Sequence, residues 1–214
     1  MASSLPNGAA LALATAYAAS LNVTAASNAS SAVLTVTNTL SIGDFVEYVS
    51  GWSRANNRIF RLSAVSGTTV TLEGLDTSST TLFPVGGGTG TIRKINTWTS
   101  ITQVVDTVLS GGDLQTTTFQ YLENDFEQEL STVVAASSID LTLGDDPSLA
   151  GYVALKNASD TRGTAAFRIV LPTGSILLYN TKPFLNETPT TTKNELMTVA
   201  AKLNLLGKVT RYSA

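Results

Sequence analysis

The sequence predicts a mainly β protein, a two-sheet sandwich or open barrel with one packed helix, interrupted by a second, smaller β-domain. Three observations lead there. Apolar residues recur at every second position in several stretches, as in Ile139, Leu141 and Leu143 or Val199, Ala201 and Leu203, which is the period of a half-buried strand. Thr, Ser, Ala, Val and Gly are abundant, while only 14% of residues are charged; such a composition favours strands and turns. One stretch, Asp146-Pro147, carries a helix-start signal, an N-cap with proline at the first helical position.

Residues 9–19 form an apolar run, AALALATAYAA, after Pro6-Asn7-Gly8. The run superficially resembles a secretory core, but the first cation is Arg54, so the positive flank is missing and a strand after a turn is expected. The small, polar residues 24–32 then lead into short Val-, Phe-, Ile- and Thr-rich strands at 33–37, 45–49, 58–65 and 69–73. Turn chemistry separates them at Ile42-Gly43-Asp44, Ala55-Asn56-Asn57 and Ser66-Gly67. A strand at 90–95 completes about five, enough for a small barrel or sandwich. Gly86–Gly90 lacks the GK[ST] ending of a phosphate loop and is expected to be a flexible connection.

Longer strands follow at 98–109 and 115–122, joined around Ser110-Gly111-Gly112-Asp113, and at 137–143. The helix is expected from Asp146 to about Asn157, capped by Asp145 and Asp146, with Leu149, Tyr152, Val153 and Lys156 on one stripe. A hairpin at 165–171 and 175–180 turns at Pro172-Thr173-Gly174. A last strand, 196–206, places Met197, Val199, Ala201, Leu203 and Leu205 on one side. The division expected is one domain from 1–22 and 96–214, with 23–95 inserted.

Charge is segregated. Between Lys94 and Lys156 there is no cation, yet nine carboxylates occur: Asp106, Asp113, Glu123, Asp125, Glu127, Glu129, Asp140, Asp145 and Asp146. The remainder carries 13 cations against seven carboxylates, and the net charge is −3. Such a run is either a solvated surface or one that shapes what the protein repels. With no cysteine and no histidine, disulfides, thiolate chemistry and the commonest general base are excluded. No apolar run approaches the roughly 20 residues of a membrane-spanning helix.

Several strings resemble the major tail tube protein of long, non-contractile-tailed bacteriophages: LPNGAALALATAY (5–17), FQYLENDFEQEL (119–130), SIDLTLGDDPSLAGYVAL (138–155) and FRIVLPTGSILLYNTKPFLNETPTTTKNELMTVAAKLNLLGKV (167–209). Residues 33–73, with NTLSIGDFVEYVSGW, resemble a small β-barrel-like module of phage structural proteins. The resemblance implies a two-sheet sandwich with a flanking helix and the inserted module outside the tube wall. It also implies hexameric rings stacked into a tube, each subunit lending four strands to an inner barrel. Twenty-four strands about 4.8 Å apart and tilted about 40° give a backbone diameter of about 48 Å, wide enough for duplex DNA.

The implied partners are further copies of the chain, tape-measure protein in the lumen, and terminator and baseplate or tip proteins at the ends. Double-stranded DNA passes without specific binding, no membrane is involved, and the subunit is made in the host cytoplasm and ends in the virion tail. An electronegative lumen suits this role, since a cationic one would bind phosphates at many points. Asp106, Asp140, Asp113 and Glu123 are its candidate residues. Asp125, Glu127, Glu129, Lys182, Glu187 and Lys193 are candidate contacts between subunits or rings, and 110–135 and 182–194 are candidate arms that order on assembly.

No catalysis, cofactor or metal is expected. The carboxylates from Glu123 to Glu129 lack a glycine-bearing calcium loop, and nothing marks out a glycosidase pair among 16 acids. Arg54, Arg58, Arg61, Arg93 and Lys94 are expected to complement an acidic neighbouring subunit, with nucleic-acid binding as the competing reading. The alternative is a surface-exposed two-domain β-protein binding carbohydrate, with Trp52 and Tyr48, or Trp98, as a stacking platform; core packing of each Trp is the competing reading.

Overall fold

The computed structural model describes residues 7–37 and 39–214; Leu5, Pro6 and Asn38, which belong to the strings and turn above, lie outside the described residues. In chain order the strands are β1 (Ala10–Tyr17), β2 (Leu21–Val23), β3 (Ala25–Ala26), β4 (Val33–Thr35), β5 (Phe45–Ser50), β6 (Arg58–Ser66), β7 (Thr69–Leu72) and β8 (Gly90–Ile101). They continue with β9 (Val104–Gly111), β10 (Leu114–Phe119), β11 (Gln128–Val134) and β12 (Ser137–Gly144), then helix α1 (Ala150–Thr161). The last are β13 (Ala165–Val170), β14 (Ile176–Asn186), β15 (Thr198–Leu205) and β16 (Thr210–Tyr212).

The expected sandwich is present. One sheet runs β8–β1–β13–β14 and the other β14–β15–β12–β9, all antiparallel. They share β14, in which Thr181 stands opposite both Ala165 and Leu205. Between the sheets lie Leu11, Leu13 and Phe167 from the first and Ile139, Leu141 and Leu203 from the second, with Tyr152 and Leu155 of α1. The period-2 pattern places Ile139 and Leu141 on one face of β12 and Leu203 on one face of β15, and burial of those faces fixes the register.

The expected small barrel is also present. β2 and β3 flank Thr24, whose N–H bonds Thr35 O at 3.0 Å, so they act as one strand. The circuit β8–β2/β3–β4–β7–β6–β5–β8 then closes, leaving no open edge in the barrel among the described residues. Trp52, Tyr48, Phe60, Leu34, Leu72 and Ile92 fill it. The glycine run is not a loose connection: a Cβ on Gly88 would lie 2.7 Å from the Trp52 ring, and Trp52 Nε1–H donates to Pro84 O at 2.7 Å. Both features tie the loop down over the barrel core.

β8 belongs to both bodies. Its first half pairs with β5 and β2, and its second half pairs with β1, so the strand expected to stop at 95 runs on to Ile101. A third cluster, with Ala14, Ala166 and Leu178 from the outer face of the first sheet and Ile59, Ile95 and Tyr212, seals the barrel against it. Buried Glu47 pairs with Arg93 and accepts from Asn180 Nδ2 at 2.7 Å. Arg93 lies 4.1 Å over the Tyr17 ring, and Tyr17 Oη accepts Ala166 N–H at 2.7 Å. The layers are therefore barrel, first sheet, core, second sheet and solvent.

Three details differ from expectation. The helix begins at Ala150 with Leu149 at the N-cap and no side-chain cap; Asp146 instead accepts from the backbone N–H and hydroxyl of Ser148, a turn that competes with capping. The buried stripe is accordingly Gly151, Tyr152, Ala154 and Leu155, with Val153 exposed. Met197 precedes β15 and is exposed.

Burial raises the Tyr17 pKa from 10.0 to about 12, against the lowering effect of the Ala166 bond. The fold thus favours the neutral phenol: this contribution is complete below about pH 10 and is lost as pH rises toward 12. In urea denaturation, Tyr17→Phe is expected to cost about 1–3 kcal/mol at pH 7 by orphaning Ala166 N–H, and to show a shallower loss between pH 10 and 12 than the parent. An unchanged alkaline slope would place the titration elsewhere.

Candidate assembly surface

The second sheet buries one face and leaves the other open. Along β12, β14 and β15 the inward residues are buried and the alternate ones largely face solvent. The register aligns the open side in rows: Lys182, Asn204, Ser138, Ser110; then Phe184, Lys202, Asp140, Val108; then Asn186, Ala200, Thr142, Asp106. Asp140 accepts Ser110 Oγ–H at 2.8 Å and lies 4.0 Å from Lys202 Nζ. Asp106 accepts Thr107 N–H at 2.8 Å. Strand pairing brings Lys202 opposite Asp140 from 62 positions away. Two lysines balance two aspartates on these rows.

The acidic excess sits elsewhere. β10 and β11 form a separate two-stranded sheet whose side chains are almost all exposed. Asp113 is at its root, Glu123, Asp125 and Glu127 are in its tip, and Glu129 accepts Thr116 Oγ1–H at 3.1 Å. None of these five makes an ion pair among the described residues. Exposed Leu114, Tyr121, Leu122, Phe126, Leu130, Val133 and Val134 share the hairpin. The strand expected at 115–122 is present as β10, and its pairing with β11 makes the candidate arm 110–135 a hairpin whose tip carries Glu123, Asp125 and Glu127. Gly111, at φ +75, makes the root possible, since a Cβ there would meet Ala136 O at 2.2 Å.

Strand edges differ sharply. β9 ends the sheet order, and Leu109, opposite inward Ile139, is exposed, as is Val105 at the bulge. The strand carries no proline or lysine; a bulge interrupts it between Val104 and Asp106, and beyond that, from Asp106 to Gly111, its outer edge is regular and is a template for another strand. The β14 edge is blunted: Pro183 has no N–H, and Leu185 N–H donates to Ser159 Oγ at 3.2 Å.

The other candidates have defined places. Lys182 lies on the open face, Glu187 pairs with Lys156 of α1, and Lys193 is in the exposed loop before β15. The segment 182–194 begins as strand, not arm, through Asn186. The barrel cations are mostly consumed internally: Arg61 with Glu73 at 2.6 Å, Lys94 with Asp44 at 2.8 Å, Arg93 with Glu47. Arg58 bonds Thr210 Oγ1 at 3.2 Å. Carboxylates distant in sequence supply these partners, which charge counting along the chain cannot show. Trp52 is buried, and Trp98 lies against Phe45 and under Arg168, so neither offers a sugar platform.

The family model described as "Phage tail tube protein, TTP" matches residues 50–214. No curated protein matches the chain. Among solved structures, the 6-fold symmetrised cryo-EM structure of the anti-feeding prophage baseplate is similar over 56% of this chain and 86% of that one, at 11% identity and a TM-score of 0.41.

A solvent-facing ion pair on a sheet contributes little. Asp140→Asn and Asp106→Asn are each expected to change unfolding free energy by less than about 1 kcal/mol. A loss above about 2 kcal/mol in denaturant titration would mark the open face as structurally closed.

Proposed function

This chain belongs to the phage tail tube protein family, and we propose that it is the major tail tube subunit, forming hexameric rings that stack into a conduit for DNA. As a family member it is a structural protein of the bacteriophage virion, placed in the tail with other tail components. The observation that carries the finer reading is the open face of the second sheet. Four antiparallel strands present hydroxyls, amides and balanced charges to solvent, with Phe184 and Val108 exposed among them, on the side away from the barrel.

Facing a bore, that surface suits a sliding polyanion. Lysine beside aspartate limits attraction for phosphate, and Asp106 and Asp140 keep the wall from becoming cationic. Asp113 and Glu123 lie on the hairpin, off this face. The unblunted β9 edge supports strand pairing with a neighbour, and the layer order supports an outward position for the 23–95 barrel. The lumen guides tape-measure protein first and DNA later, and terminator and tip proteins close the ends. Subunits are made in the host cytoplasm. The role requires neither catalysis nor a cofactor.

Negative-stain microscopy of purified protein is the direct check: tubes or rings support the reading, and monodisperse monomers at high concentration contradict it. In a ring each substitution is repeated in every subunit. Asp106→Lys with Asp140→Lys is therefore expected to leave tube diameter unchanged but slow DNA ejection at low salt, with recovery as salt screens the wall. Normal ejection at low salt from virions carrying both lysines would remove these residues from the bore.

A further inference from the structure

A cleft of about 670 Å³ opens where the barrel, both sheets and the hairpin root meet. Its walls include Leu109, Val134, Tyr179 and Val209, and Arg54 and Lys208 are part of its lining. Neither cation makes an ion pair among the described residues, although most of the protein's cations do or are packed on rings.

The hairpin has the opposite character. A lone two-stranded hairpin is marginal in water, and this one packs its apolar side chains on little of its own chain. Its tip combines exposed Tyr121, Leu122 and Phe126 with Glu123, Asp125 and Glu127. An extended strand the length of β10 separates tip from root by about 20 Å, while the cleft borders the root. The tip cannot fold back into its own cleft without breaking the hairpin.

We infer that the cleft receives the hairpin tip of a second copy of this chain, with Leu122 and Phe126 entering the apolar walls and Glu123 and Glu127 meeting Arg54 and Lys208. The contact rests on the tube reading and names its interface. It is heterologous, joining two different surfaces, so it propagates from copy to copy without self-closing in pairs. Charge supplies register, and apolar burial supplies most of the attraction. Two of the nine carboxylates of 95–155 then meet two cations that have no ion pair within their own copy among the described residues.

Because the chain has no cysteine, single cysteines give a clean test. Leu122→Cys and Ala136→Cys chains, distinguished by a size tag, are mixed, assembled and oxidised. The expected result is a mixed cross-linked dimer in high yield, absent when Leu122→Cys is paired with Leu82→Cys on the barrel. Separately, Arg54→Glu with Lys208→Glu is expected to raise the concentration needed for assembly about tenfold or more. Mixing these chains with Glu123→Lys, Glu127→Lys chains should recover assembly. Tubes that form normally with no mixed cross-link and no effect of charge reversal overturn this contact while leaving the tube reading intact. Wild-type chains that stay monomeric overturn both.

Discussion

Gly90–Ile101 form one strand that closes the small barrel at its first half and begins the sandwich at its second, and much of the architecture follows from this sharing. Because β8 is continuous, the barrel cannot swing away from the first sheet. That sheet is consequently covered on both faces, by the core on one side and by Ile59, Ile95 and Tyr212 on the other. The polar contacts sit at the same junction: Glu47 with Arg93 and Asn180, and Tyr212 Oη between Arg61 N–H and Glu73 O. Breaking a buried charge pair by removing one partner is costly, so these contacts resist relative motion of the two bodies.

The same constraint explains what the sequence showed and what it concealed. The run 9–19 reads as largely apolar because β1 is buried on both faces from Leu11 to Ala14: Leu11 and Leu13 face the large core, and Ala14 faces the barrel side. The second sheet was easier to read, since its open face preserves strict alternation along β12 and β15. The helix start was misplaced because Asp146 uses its carboxylate in a local turn with Ser148, an interaction as available to an Asp-Pro-Ser sequence as capping is. β2, β3, β11 and β16 were missed: β11 has little alternation, and the others are two or three residues held by pairing with their neighbours.

Charge illustrates the limit most clearly. Nine carboxylates in succession suggest an acidic wall, yet the fold distributes them among three surfaces: two on the open face beside Lys182 and Lys202, five on the hairpin, and two in the turn before α1. Strand pairing, which sequence distance does not encode, decides which cation meets which acid. The result is a subunit with a charge-balanced open face, an acidic apolar projection and an unblunted strand edge. Each property is expensive or useless in isolation and fits a protein completed by its own copies.

A helical reconstruction of assembled tubes by cryo-electron microscopy tests the central claim most directly. The bore is expected to be lined by the face carrying Asp106, Asp140, Lys182 and Lys202, with β9 paired to a neighbouring subunit and the 23–95 barrel on the outside. A bore lined by the barrel, or by the face now packed against α1, would contradict it.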